Sequence, residues 1–385
     1  MPAVLFAIFV DLLGFGIIVP ILPFLVEEYG GTETMGTALF SIYALMAFAS
    51  GPLWGRLSDR VGRRPALAAT FAGAMVSYLV LAFADSLMML FIARAFSGAM
   101  AGNVGIAMAA MADLTDENNR GRAMGMIGGV FGLGFAVGPV LGGVLSEMGP
   151  GSHVLVPGLT ASFLSMTAML FALRFMPETK SVEEETHPTA SKSSFTDFLR
   201  TPAQTTMFAM FVVTSAGQSM SFSIMPFWTM KLLDWSQVQV GYLMGSIGLG
   251  IAVIQSLAIG PLFKRIGELK ALMLGATLHM IGCAVIIFMP PSVTVAMITF
   301  PFVMCGLTIS FPALNSLLSR RTDRHRQGAA MGLSNGMSAL GRVLGPIAGG
   351  VMFEQITPGA PFLAIAATGI ATFLWGSWEV RRARA

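Results

Sequence analysis

The sequence predicts an all-α integral membrane protein, with twelve transmembrane helices in two pseudo-symmetric six-helix bundles. Three observations carry this expectation. First, 55% of the 385 residues are hydrophobic and only 11% are charged, whereas a soluble domain carries roughly 25% charged residues. Second, the apolar runs are long. Hydrocarbon offers the backbone no hydrogen-bond partners, so runs of about 20 apolar residues read as helices. They fall near 3–27, 34–55, 66–84, 87–112, 122–147, 154–176, 204–230, 237–262, 269–289, 291–317, 328–354 and 359–380. Third, the chain repeats itself. From Thr115 to Glu147, fifteen of thirty-three positions recur 207 residues later, among them Gly125, Gly134, Gly138, Pro139, Gly142 and Gly143. Their partners are Gly332, Gly341, Gly345, Pro346, Gly349 and Gly350. A period of half the chain means two copies of one unit, not a solenoid. The expected organisation is a first bundle at 1–176, a cytoplasmic linker at 177–203 and a second bundle at 204–385.

Orientation follows from the basic residues. With both termini in the cytoplasm, 20 of the 23 lysines and arginines lie on that side, only Lys231 lies outside, and Arg94 and Arg342 fall within helices. The net charge of +3 thus reflects topology, and no basic patch suits nucleic acid. Cys283 and Cys305 both sit in expected helices and imply no disulfide framework. The first helix has no small-residue cleavage site, and no glycosylation sequon occurs, which together favour a multi-pass protein of a bacterial inner (plasma) membrane.

The first helix carries Asp11, about 12 Å along it. A charged carboxylate at that depth is costly unless it is neutral, paired or facing water. It is expected to face a cavity; a shorter helix would instead leave it among the headgroups. After the second helix comes Gly51-Pro-Leu-Trp-Gly55-Arg-Leu-Ser-Asp59-Arg60-Val-Gly62-Arg63-Arg64-Pro65. The positive-inside rule explains its arginines but not Asp59 among them, nor Gly55 and Gly62, which are expected to flank a tight turn.

That stretch resembles the signature loop of the major facilitator superfamily. The resemblance implies a gating latch that joins the halves when the transporter opens outward, with Asp59 as central acceptor near the amino end of the eleventh helix. Gly55, Arg60, Gly62, Arg63 and Arg64 shape the latch, and Asp113 is placed to meet its arginines. The remnant Gly260-Pro-Leu-Phe-Lys264-Arg265-Ile-Gly267 lacks a matching aspartate, so the latch is expected to be asymmetric. On the fourth helix, Arg94 to Asn103 is similar to the family's arginine motif, linked to proton movement; snorkelling to the headgroups is the other reading of Arg94. The glycine pattern of the fifth helix resembles the family's antiporter motif. Glycines at spacings of three and four make a groove for a second backbone, here expected where the halves meet, and Gly138-Pro139 is expected to bend the helix.

The only long polar stretch, 178–202, reads as a tether, with an amphipathic segment near 195–199 as an option. The seventh helix offers Thr214, Ser215, Gln218, Ser219, Ser221 and Ser223 before Phe227 and Trp228. Gln255 lies deep in the eighth helix. His279 in the ninth either carries protons or hydrogen-bonds between helices.

The resemblance covers the whole chain and is closest to drug and proton antiporters of the tetracycline-efflux group, with departures at His279, where those exporters place an acid, and at Ile251. It implies a proton-coupled exporter of amphipathic small molecules or drugs, working by alternating access. Asp11, Arg94 and His279 would couple protons. Substrate would meet Phe15, Asn103, Gln218, Phe222, Phe227, Trp228 and Gln255. A proton gradient takes the place of a cofactor; no metal-ligand spacing occurs, and the chain is expected to be a monomer in the bilayer. A transporter of an endogenous metabolite is the alternative, and a non-transporting sensor or scaffold a weaker one. No nucleophile with an adjacent base points to an enzyme.

Overall fold

A computed structural model describes residues 2–115, 117–148, 153–178, 202–323 and 326–382. The described residues form an all-α protein with twelve helices long and apolar enough to cross a membrane. These are α1 (Pro2–Glu28), α2 (Glu33–Val61), α3 (Arg63–Ala82), α4 (Leu87–Asp113), α5 (Glu117–Ser146), α6 (Leu155–Phe175), α7 (Pro202–Leu233), α8 (Gln237–Ile266), α9 (Glu268–Phe288), α10 (Val293–Arg321), α11 (Gln327–Gln355) and α12 (Ala360–Arg382). Each expected apolar run has its helix. The tether, with its segment near 195–199, lies almost wholly outside the described residues.

The largest difference in length is at α2. It continues through Pro52 to Val61, so Gly55, Asp59 and Arg60 are helical rather than part of a loop. Gly55 flanks no turn: a Cβ there would meet nothing within 4 Å. The turn rests on Gly62 alone, whose φ of +98° is cheap only without a side chain. α3 then starts at once, and its first amides need acceptors. Glu178, just past α6, supplies them: the backbone N–H groups of Arg63 and Arg64 donate to its carboxylate at 2.8 and 3.2 Å. A carboxylate suits the positive end of the helix dipole. The same device opens α9, where Gly267 has φ +78°.

Three helices are interrupted. α1 breaks between Ile18 and Leu22, where Pro20 and Pro23 withhold amides. α4 breaks at Met100–Gly102, between segments Leu87–Ala99 and Asn103–Asp113, with no proline. The broken turn leaves the Ala99 carbonyl without a backbone donor, while Gly98 O still accepts from Ala101 N at 3.1 Å, and α2 reaches both. The Trp54 indole Nε1 donates to Ala99 O at 2.7 Å, and the Ser50 hydroxyl donates to Gly98 O at 3.4 Å. α8 contains a π turn at Ile254–Ala258. α5, by contrast, runs unbroken through Pro139.

By packing, the described residues form two units. The first takes the chain up to 178 together with Asp234–Ser256; the second takes 202–233 and the chain from Leu257. The start of α8 thus packs with the first unit, whereas the repeat boundaries follow the order of the chain. In the first unit, α1 lies on α5 and α6, α3 on α6, and α2 on α4; in the second, α7 lies on α11, α10 and α12, and α9 on α10 and α12.

The repeated glycines explain the closest of these approaches: one face of α5 packs on α1 of its own half, and the other packs on the start of α8, a helix of the chain's second half. A Cβ built on Gly138 would lie 2.8 Å from Gly16 Cα, and one on Gly134 would lie 2.7 Å from Leu12 Cβ. Gly142 likewise abuts the Ile17 backbone. That face of α5 therefore packs on α1, inside its own unit. Gly341 and Gly345 of α11 do the same against Ala216 and Ser219 of α7. Ser219 donates to Gly341 O at 3.3 Å. The second face of α5, at Gly143, meets Gln237 and Val238 of α8, whose own Gly241, Gly245 and Gly248 lie against Pro139, Ala136 and Phe135. Gly125 belongs to α5, but its surroundings fall outside the described residues.

The units also carry matched ion pairs at corresponding helix ends. In the first, Arg63 Nε lies 3.2 Å from Asp113 Oδ2 and Arg63 Nη1 lies 2.9 Å from Asp59 Oδ1. In the second, Glu268 Oε1 lies 2.8 Å from Arg320 Nη2, and Arg321 pairs at 2.6 Å with Glu379, which is buried. Arg63 and Glu268 each follow the positive-φ glycine, so the sign of the pair is reversed between the units.

Two substitutions test this account. Gly138→Val should lose about 1–3 kcal/mol through overpacking, read as an earlier unfolding midpoint in detergent, while Gly55→Ala leaves the midpoint in place. Glu178→Ala should cost about 1 kcal/mol by uncapping α3, and Glu178→Asp should restore part of it in the same assay.

Candidate functional site

The buried polar groups of the first unit gather around α1 and the break in α4. Asp11 is buried, and the Asn103 Nδ2 donates to its Oδ2. Asn103 is the first residue of the second α4 segment, so the break decides where this side chain starts. Its own Oδ1 accepts from Val104 N at 2.8 Å, which fixes the amide and leaves Nδ2 for the carboxylate. A Cβ on Gly102 would run into the Trp54 ring; glycine there lets α2 close against the break.

Arg94 lies nine positions before Asn103 on the first α4 segment and is 1% exposed. Its guanidinium is ringed by aromatics. The carbon centre is 4.6 Å from the Tyr43 ring centroid, 5.5 Å from Phe15 and 6.0 Å from Phe40. Phe15 also packs on Tyr43 at 5.2 Å and on Phe135 of α5 at 6.0 Å. Among the described residues, no ion pair joins Arg94 to Asp11, and none of its three nitrogens has a hydrogen-bond partner. The favourable contacts are cation–π, worth about 2 kcal/mol each at most when desolvated. Snorkelling to the headgroups is not the arrangement seen.

Tyr78 of α3 completes the group. Its hydroxyl is buried near Ser97, with Asp11, Tyr43 and Arg94 within electrostatic reach. Gly14 lets the ring come close to α1, since a Cβ there would sit 3.3 Å from Tyr78 Cε2. Tyr43, Phe40, Tyr78 and Ser97 were missed by sequence reasoning. The available signal was a tyrosine or serine deep in an apolar run, which bilayer helices avoid unless a partner is at hand.

In the second unit, Gln218 and Phe222 are half-buried on α7. Phe227 and Trp228 are fully buried. Trp228 packs edge-on against Phe300 of α10 at 5.4 Å and Phe362 of α12 at 6.3 Å, an aromatic triad inside the unit. His279 is buried between α9, α10 and α12: a Cβ on Gly306 would lie 3.2 Å from His279 Cβ, and one on Gly369 would strike the imidazole. Arg342 is exposed on α11, and Gln255 is exposed within the π turn of α8. Gln255 Oε1 lies 3.7 Å from a Cβ built on Gly128 of α5.

Of the residues expected from sequence, the first unit pairs Asp11 with Asn103 and sets Arg94 against Phe15. It also brings Asp59, Arg63 and Asp113 together at the α2–α3 turn, with Arg60, Gly62 and Arg64 beside them. No set of three or more His, Cys, Asp and Glu groups suited to a metal occurs among the described residues.

Comparisons with known proteins agree with this architecture. The chain is 29% identical over 356 residues to the class B tetracycline resistance protein of Escherichia coli, covering 90% of this chain and 87% of that protein. It is 31% identical over 347 residues to the class G tetracycline resistance protein of Vibrio anguillarum, covering 88% and 86%. The crystal structure of the human organic anion transporter MFSD10 superposes with a TM-score of 0.72 over 97% of this chain and 98% of that one, at 23% identity. The sequence profile of the Major Facilitator Superfamily matches residues 4–346. Twelve membrane-capable helices, the duplicated glycine helix and this match along the chain agree: it is a multi-pass membrane protein belonging to the Major Facilitator Superfamily.

Proposed function

We propose that this chain is a proton-coupled secondary transporter that exports amphipathic small molecules or drugs by alternating access. The observation that carries the reading is the buried Asp11 carboxylate, held by Asn103 at the α4 break and one cluster away from a buried arginine. A titratable carboxyl at that depth is a functional candidate by default, and its partner, the Asn103 Nδ2, donates to the carboxylate form. The similarity to tetracycline resistance proteins supports export of a drug-like substrate.

In this reading both termini are cytoplasmic, the membrane is a bacterial inner membrane, and residues 1–176 and 204–385 act as the two bundles. Asp11 takes a proton from outside and releases it to the cytoplasm, while substrate travels the other way. Arg94 senses the change in charge through the shared Tyr78, Ser97 and aromatic surroundings. Phe15 and Gln255 in the first unit, and Gln218 and Phe222 in the second, are the residues this reading assigns to substrate contact, polar and apolar together as small-molecule sites use them. The Asp59, Arg63 and Asp113 group at the α2–α3 turn serves as the latch. His279, packed among α9, α10 and α12, is left outside the proton path in this reading.

Liposomes containing the purified protein and a pH-sensitive dye, made acidic inside, test the reading. A drug that dissipates the gradient with wild type should leave it intact with Asp11→Asn, although the variant still binds the drug. If a broad panel moves no protons in either direction, coupled export is wrong. Asn103→Ala should slow the same drug-driven proton flux by about tenfold or more, from the loss of a hydrogen bond to a buried charged group, and Asn103→Gln should recover part of it.

A further inference from the structure

Arg94 presents a charge that the protein itself does not balance. Its side chain is 1% exposed, all three guanidinium nitrogens lack hydrogen-bond partners among the described residues, and Asp11 is engaged by Asn103 instead. Burying a charge without hydrogen bonds costs several kcal/mol. Three aromatic rings at 4.6 to 6.0 Å offset part of that through their faces, but they accept no hydrogen bonds from the fork of N–H groups. A side chain kept only for packing would be better served by an apolar residue. The environment is thus complete around the flat faces of the guanidinium and incomplete at its edge.

We infer that the edge of Arg94 is a binding subsite for the carboxylate of a planar aromatic organic acid. Resting on the transport reading above, this names the class of substrate. The guanidinium fork matches a carboxylate with two parallel hydrogen bonds, the strongest neutralisation available to it. Phe15 and Tyr43, already packed on each other at 5.2 Å, offer ring faces and edges to the aromatic body of the ligand. No described side chain accepts from the fork. The subsite is closed in this conformation and is reached when the alternation of the proposed mechanism exposes the α1, α2 and α4 surfaces that enclose it.

Equilibrium binding of naphthoate and of its neutral isostere naphthamide to the full-length protein in detergent tests the inference. Wild type should bind naphthoate tighter by about tenfold or more, the contribution of hydrogen bonds to a charged group. Arg94→Gln should remove that preference by weakening naphthoate alone, with retained naphthamide binding reporting an intact fold. Arg94→Lys, which keeps the charge but not the fork, should fall between the two. Equal affinities in wild type, no naphthoate binding, or an equal loss of both ligands in Arg94→Gln would each overturn the subsite and leave Arg94 a packing element. Flux in proteoliposomes separates the two claims. Arg94-dependent binding of naphthoate that is never carried across supports the subsite and counts against transport. Gradient-driven carriage of both compounds by wild type, with equal affinities for the two, does the reverse.

Discussion

The position of Asp11 depends on how closely α1 and α5 approach. Gly16 and Gly138 stand face to face, with Gly134 and Gly142 extending the contact one turn each way. In hydrocarbon, helices gain little from excluding water, so association rests on van der Waals contact, which falls away steeply with distance. Side chains at these positions would push α1 outward and carry Asp11 with it, away from Asn103. The glycines are therefore structural in where they act and functional in what they place.

A second constraint is that backbone groups freed inside a membrane must find partners within the protein. The break in α4 shows how this shapes a site. Freeing the Ala99 carbonyl would be costly alone; the Trp54 indole makes it tolerable and, with the Ser50 hydroxyl on Gly98 O, ties α2 to the break. Ending one helical segment and starting another then changes the direction in which Asn103 projects relative to Arg94. Two residues of one helix can thereby serve different partners, one a carboxylate and the other a ring of aromatics.

Much of this was legible in the sequence. Twelve spans, the duplication, the paired glycines and the buried Asp11 follow from hydropathy and spacing. The remainder depended on information that no local pattern contains. The α4 break has no proline; only the indole of Trp54, forty-five residues earlier in the chain, makes it affordable. α2 read as ending near residue 55 because charge rises there, yet helical hydrogen bonds persist past the apolar run to Val61. Trp228 read as part of a ligand wall because it follows a polar stretch, but rotation about α7 sets it against Phe300 and Phe362. The rings around Arg94 come from two other helices, and spacing within α4 could not name them.

The reversed ion pairs at the α3 and α9 ends bear on how such a duplicated chain can change over time. Recombination between two similar repeats would exchange one copy of a helix end for the other. Here that exchange would set Arg63 opposite Arg320, or Glu268 opposite Asp113, placing like charges where each unit now holds a bonded pair. The backbone of the two copies remains alike down to the positive-φ glycine, but their charges are no longer interchangeable. With the sign reversed at Arg63 and the buried Glu268, exchanging one helix end alone would break the pair in either unit.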